Sequence, residues 1–537
     1  MEKKFGHEQR KLLPCPKSSG YNFVAKQKTN PPMSKIIAIQ DFLRPELPTV
    51  VGCKDYHEEK RLLERVDRML EKSGVERLFL ELSLGQFEAN AAKMEAAGEK
   101  VRGGQAAIDR YMKHSSWALR CTVLKNLVGE SYRKMSADLA KTPLYQCFCR
   151  FGVLDLVRVP GKSTLQDYAH WLPAEQMERI NRTLTQALSD SERAREIGLE
   201  SELDMTAAWV DSTCVKSKIH FPTDWVLMRD AVRTLVKSIL VIRRHGLVRR
   251  ISEPEGFLRE INALGMGMSA SGRGKPGSKK ERKRMLRAMK RLSKTVEEHG
   301  NRYRCALDAN WKETDLTRKE CEVILRRMDN VLRQLPEARR QAHERIIGGR
   351  QVPNDEKILS LDEEDARVIV RGKAGAAVEF GNPLFLAENV DGYIMDHELK
   401  REKSRGDAKW LRARYEGMKE ISGGRLCGVI GDRGYESKAT VEMLEADEAF
   451  NGLCPRNPPE LAHRLESDEV FAVALKRRGQ TEGRIGIFKN VFLGGTPLAK
   501  GFKNRELQVA WAVLAHNLWV AARLPWVEKA DQEKLAA

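Results

Sequence analysis

The sequence predicts an α/β fold with a mixed sheet at its core, a helical region before that core and a helical, basic insertion inside it. Three observations predict this. Beyond residue 365 the apolar period alternates between strand and helix after an initial hairpin. One strand-like run, residues 205–216, stands alone far upstream. The stretches at about 56–185 and 246–350 carry apolar residues at helical spacing among charges.

In chain order, residues 1–40 are polar and basic, are interrupted by Pro31-Pro32, and are expected to form a disordered arm. Their start lacks the apolar stretch of a secretory signal. Residues 41–200 are expected to be a helical DNA-binding region. "WALRCTVLKNLVGESYRKMSADLAKTPLYQCFCRFG" reads as helix, turn, helix, punctuated by Gly129 and Glu130, with Ser131 as a cap. "KSTLQDYAHWL" starts another helix behind Ser163. Such short helices with basic faces suit a DNA-binding module or a plain helical bundle. Residues 201–245 form the first part of the core: a strand from Met205 ending on Asp211, a break at Pro222, and a helix capped by Thr223 or Asp224. Residues 246–350 are a helical basic insertion. Its extreme, "SASGRGKPGSKKERKRMLRAMKRLSK", is either a solvated face or a phosphate-contacting segment.

Residues 351–537 complete the core. "ARVIVRG", "AAVEFGNPLFLAEN" and "DGYIMDHELKR" read as strands, the last two joined near Asn389 to Gly392. A helix follows ("AKWLRARYEGMKEI"), then a buried strand ending in a turn ("RLCGVIGDRGYES"). Next come a helix ("KATVEMLEAD"), a short strand ("AFNGLCPRN") and a helix ("RRGQTEGRIGIFKNVF"). The closing apolar run, Leu507 to Val527, contains Gln508, His516, Asn517, Arg523 and Pro525, so a buried or amphipathic helix is expected rather than a membrane span.

The balance of 94 Lys plus Arg against 75 Asp plus Glu leaves a formal charge of +19. That excess favours a polyanionic partner, nucleic acid above all. Ten cysteines are scattered without a CxxC pair, which predicts reduced thiols in a cytoplasmic protein rather than a disulfide framework or zinc knuckle.

Two predicted strands end on an aspartate, Asp211 in "TAAWVDST" and Asp432 in "LCGVIGDRGY". Functional groups cluster beyond the carboxyl ends of strands in open α/β sheets. Neighbouring carboxylates there would share a proton, pair with a base or hold a cation. Gly431 and Gly434 suit a tight loop close to a large ligand. Glu482 adds a third carboxylate on a helix, with Arg478 four residues before it and Lys489 seven after, near one helical face. Three carboxylates suit Mg2+ or Mn2+, and two such ions can clamp an in-line phosphoryl transfer. Taken singly, each is also a plausible turn, cap or surface ion pair.

The segments "WVDSTCVKSKIHFPTD", "AVEFGNPLFLAENVDGYIMDHEL", "GDRGYES" and "TEGRIGIFKN", in that order, resemble the DDE transposases of bacterial insertion sequences, especially the loosely classified ISNCY group and its neighbours. The ending "AWAVLAHNLWVAARL" and the helical stretch before "STLQDY" are similar as well, so the likeness spans roughly residues 110–525. The resemblance implies an RNase H-like core with Asp211, Asp432 and Glu482 as catalytic and metal-holding triad, interrupted by a long insertion after the first strand. It also implies Arg478 and Lys489 as contacts to transposon-end DNA. A Tyr three residues before the Arg in that signature is here Leu475. Two Mg2+ or Mn2+ ions, double-stranded DNA (terminal inverted repeats and target) and a homodimer in the synaptic complex are further implications. An RNase H-like nuclease without strand transfer and a non-catalytic DNA-binding protein are the competing readings.

Overall fold

Helical periodicity and strand alternation sort the chain as its pattern predicts. The computed structural model describes residues 47, 49–98, 104–151, 157–249, 251, 253–271, 277–373, 376–402, 406–495 and 499–527. The arm at 1–40 lies outside the described residues. The chain divides into two compact units, one of Met1–Lys125 with Ser131–Gln176, the other of Asn126–Glu130 with Met177–Ala537.

The first unit is built from helices α1 (Lys54–Lys72), α2 (Val75–Ala96), α3 (Gln105–Val128), α4 (Tyr132–Lys141), α5 (Pro143–Phe148) and α6 (Lys162–Tyr168), with α7 (Ala174–Ser189) beginning at its end. Ser131 caps α4, its hydroxyl accepting from the Lys134 N–H at 3.3 Å. Helix α6 starts two residues earlier than expected, at Lys162 behind Gly161. At the centre, fully buried Arg120 is satisfied by Glu76 at 2.8 Å, Asp67 at 2.6 Å and the Phe148 carbonyl. A buried guanidinium is tolerable only when its donors are spoken for in this way.

The second unit continues through α8 (Ser191–Ile197) into a six-stranded mixed sheet. Its strands are β1 (Ala207–Lys216), β2 (Arg367–Lys373), β3 (Ala376–Glu388), β4 (Ile394–Leu399), β5 (Gly428–Gly431) and β6 (Phe450–Leu453). The order is β2-β3-β1-β5-β6, with β4 also on β3. β3 lies antiparallel to β1, β2 and β4, whereas β5 and β6 run parallel to β1. On one face sit α13 (Asp407–Ile421) and α14 (Lys438–Ala446); Arg414 of α13 pairs with Asp396 of β4 there. On the other sit α16 (Glu469–Ile487), which follows α15 (Pro458–Ser467), and α17 (Phe502–Ala521). There Val215, Leu384, Leu386 and Ile394 of the sheet pack on Phe488, Phe492, Val509 and Val513.

Between β1 and β2 the chain makes a separate bundle of α9 (Asp224–Arg244), α10 (Pro254–Ala270), α11 (Ser278–Asn310) and α12 (Arg318–Ala342). These share one apolar core that includes Met228, Leu235, Ile239, Met289, Val296, Met328 and Leu335. The bundle thus takes in α9, a helix the sequence places with the sheet. Thr223 occupies the cap position of α9 without a side-chain cap bond. The Asp224 carboxylate instead accepts from Gln341 and Arg345, both at 2.8 Å, tying the helix start to the end of α12. Helix α17 is buried over nearly its whole length, and among the described residues no helix is long and apolar enough to cross a membrane.

Candidate active site

Strand alternation puts Trp209, Asp211, Thr213 and Val215 on the α16–α17 face of β1. Asp211 does not end its strand, as the sequence suggests, because β3 keeps pairing with β1 from Trp209 to Lys216. The parallel partner β5 pairs only with Ala207–Trp209 and then leaves the sheet. Asp432 is the residue that leaves: it follows Gly431, the last residue of β5. Since Trp209 stands opposite Ile430, Asp211 and Asp432 lie at one level where the two strands part.

Glu482 arrives from α16. Arg478, one turn earlier, holds a guanidinium nitrogen 3.5 Å from Glu482 Oε1 and 3.9 Å from Asp432 Oδ2. Half-buried Asp211 accepts the Ser212 N–H at 2.7 Å. Its carboxyl is pushed up to about 6, first by burial, against that hydrogen bond; Asp432 and Glu482 raise it further and Arg478 opposes them. Three carboxylates and one cation from three distant segments therefore act on one another here.

Lys489 lies beyond the end of α16, which carries Glu482. Helix α16 gives way to a π-helical turn at Phe488–Phe492, and Lys489 donates to Thr213 Oγ1 at 3.2 Å, two residues along β1 from Asp211. The glycines lie in the expected tight turn. A Cβ on Gly431 would meet Val210 and Leu453, and one on Gly434 would stand 2.9 Å from Asp407 Oδ2 and 3.0 Å from Asp432 Oδ1. Both make room for the protein's own atoms. The Gly434 N–H donates to Asp432 Oδ1 at 2.8 Å, so Asp432 also shapes its turn.

Several participants escape a reading of the sequence. Asp407, at the start of α13, looks like an ordinary first-turn acid, yet it flanks Gly434 opposite Asp432. Burial, then Asp407, Asp211 and Asp432 together, hold the Tyr435 phenol well above its usual range. Glu388, at the end of β3, is 4% exposed and forms the anchor of α16. It accepts from Arg477 at 2.7 Å and Thr481 at 2.8 Å, while Arg477 also donates to the Asn389 and Val390 carbonyls, both at 2.8 Å. The same guanidinium lies 4.3 Å from the Trp209 ring, whose Nε1 donates to the Ala474 carbonyl at 3.2 Å. The signal was present: Arg477, Thr481 and Arg484 recur at helical spacing beside the Arg478–Glu482 pair.

The donors fit a hard divalent cation in kind: all oxygen, all carboxylate, and mutually repulsive until a cation offsets them. Among the described residues no three His, Cys, Asp or Glu side chains yet converge as a metal-holding group. The Arg478 guanidinium stands between Asp432 and Glu482 instead. No family model, curated protein or solved structure matches this chain.

Proposed function

We propose that this protein is a DDE-type DNA transposase, cutting DNA strands at the ends of a mobile element and joining them to target DNA. The observation that carries the reading is the approach of Asp432 and Glu482 to Asp211 around the Arg478 guanidinium, with the Asp211 carboxyl raised first by burial and then by these two acidic neighbours. The strand order supports an RNase H-like core: three antiparallel strands, β4-β3-β1, continue into the parallel β5 and β6, with helices on both faces.

Asp211, Asp432 and Glu482 would hold Mg2+ or Mn2+. When bound, such ions supply Lewis-acid charge that activates a water or 3′-hydroxyl and offsets the leaving oxygen. The chain's own contribution is placement. β1 fixes Asp211 on a rigid strand, and the Glu388–Arg477 anchor sets the rotation of α16, hence the reach of Glu482. Arg478 and Lys489 offer positive charge to the DNA backbone beside the carboxylates. The formal charge of +19 favours the same partner. A homodimer that holds two DNA ends, acting in the cytoplasm, completes the proposal.

The test is cleavage and joining of labelled duplexes taken from the DNA flanking the coding region, in the presence of Mg2+. Asp211→Asn, Asp432→Asn and Glu482→Gln are each expected to lower cleavage by more than about 100-fold while end binding persists. Wild-type activity in any of the three variants overturns the reading. Cleavage without joined products would leave a metal-dependent nuclease.

A further inference from the structure

The inserted bundle carries a surface that the cleavage chemistry does not use. Helix α11 runs unbroken from Ser278 to Asn310. In its first half Lys280, Arg284, Arg287, Arg291 and Lys294 are all exposed. Their spacing of four, three, four and three residues keeps them on one stripe, since a helix turns about 100° per residue. At about 1.5 Å per residue the stripe is roughly 21 Å long. Its inner side is committed to the bundle core through Met285, Leu286, Met289 and Leu292.

Most of these charges are unanswered. Glu281 is the sole acid between Ser278 and Val296, and it pairs with Arg284 at 2.6 Å. No ion pair among the described residues engages Lys280, Arg287, Arg291 or Lys294. Some exposed arginines elsewhere in the bundle are matched, as Arg318 is by Glu322 at 2.9 Å and Arg340 by Glu337 at 2.5 Å, whereas Arg326 and Arg327 of α12 also have no ion pair among the described residues. Uncompensated like charges at helical neighbour positions cost stability, so the stripe is a surface that a polyanion would relieve.

We propose that this face of α11 is a docking surface for the phosphate backbone of double-stranded DNA, reading charge and not sequence. The stripe favours duplex DNA over the other polyanions. A membrane-surface helix sets Trp, Phe or Leu opposite its cations and leaves that side free to insert; here the apolar side is already buried in the bundle. Single strands are gripped by stacking on aromatic rings, and residues 278–302 contain none apart from His299, which is packed against Phe257. What is left is a straight, rigid edge, cationic apart from Glu281, matched to a rod that carries one charge per about 1.7 Å. The surface would hold DNA flanking the reacting strand.

The test uses the full-length protein and a labelled duplex of about 30 base pairs of arbitrary sequence, with binding followed from roughly 50 to 200 mM salt. The logarithmic salt slope is about −0.9 per phosphate contact, so Arg287→Gln, Arg291→Gln and Lys294→Gln together should flatten it by about 2.7. Arg287→Lys with Arg291→Lys should retain the wild-type slope. Removing three already paired cations (Arg318→Gln, Arg340→Gln and Arg333→Gln, the last paired with Glu364) lowers the net charge equally and should leave the slope in place. An unchanged slope in the α11 variant, an equal loss in the α12 control, or tighter binding to single strands or anionic vesicles than to duplex would each overturn the proposal. Because binding is read without catalysis, its failure would leave the proposed chemistry standing, and a protein that bound duplex through α11 but never cut it would do the reverse.

Discussion

At Asp211 burial and charge conflict. Its folded-state carboxyl titrates near 6 against an ordinary 3.8. A group raised in this way stabilises the fold below its unfolded value and loses that contribution as pH rises through the folded one. Asp211→Asn should therefore stabilise the metal-free protein at pH 7 by about 1–2 kcal/mol, while abolishing cleavage. In thermal melts the advantage should open between about pH 4 and 6 and vanish below about pH 4; an equal or lower melting temperature at pH 7 would contradict the electrostatic picture. Gly434 is a second point of tension. Gly434→Ala would place a methyl against the Asp407 and Asp432 carboxylates, so cleavage should fall about tenfold or more with only a small change in melting temperature. A variant cleaving like wild type would show that those carboxylates need no fixed spacing.

Among the elements, α16 decides whether the acids meet. It carries Glu482 and Arg478 on one side and is fastened to the sheet by Glu388 and Arg477 on the next. Removing one partner of a buried ion pair leaves the other charge uncompensated, at a cost of about 3–5 kcal/mol. Glu388→Gln and Arg477→Met should each destabilise by that order in chemical denaturation, and the double variant by less than their sum. The double variant should also lose cleavage while binding DNA, since Glu482 would lose its fixed approach. Additive losses would mean that the two side chains do not act as one anchor.

For the whole molecule, the consequence of the topology is that two cores within the second unit are sealed separately. The bundle closes around Leu235, Met289 and Met328, whereas the sheet closes around Leu384, Leu386 and Val513. Leu235→Ala should cost about 2–5 kcal/mol, and hydrogen exchange should quicken in α9, α11 and α12 more than in β1, β3 and β5. Uniform quickening would mean that bundle and sheet unfold as one.

The sequence alone determined what depends on neighbours along the chain. Period and capping residues gave the helices and strands, down to the Ser131 cap and the turn after β3, because those signals act within a few residues. Charge type marked Asp211, Asp432, Glu482 and Arg478 before any fold was known. Only the tertiary structure decided which of them meet: β1 carries on past Asp211 because β3 continues to pair with it, and Lys489 turns to Thr213 because α16 loosens into a π-helical turn. Asp407 and Glu388 stayed illegible for the same reason. Their neighbours lie far along the chain, and a carboxylate's environment is set by what packs against it rather than by what precedes it.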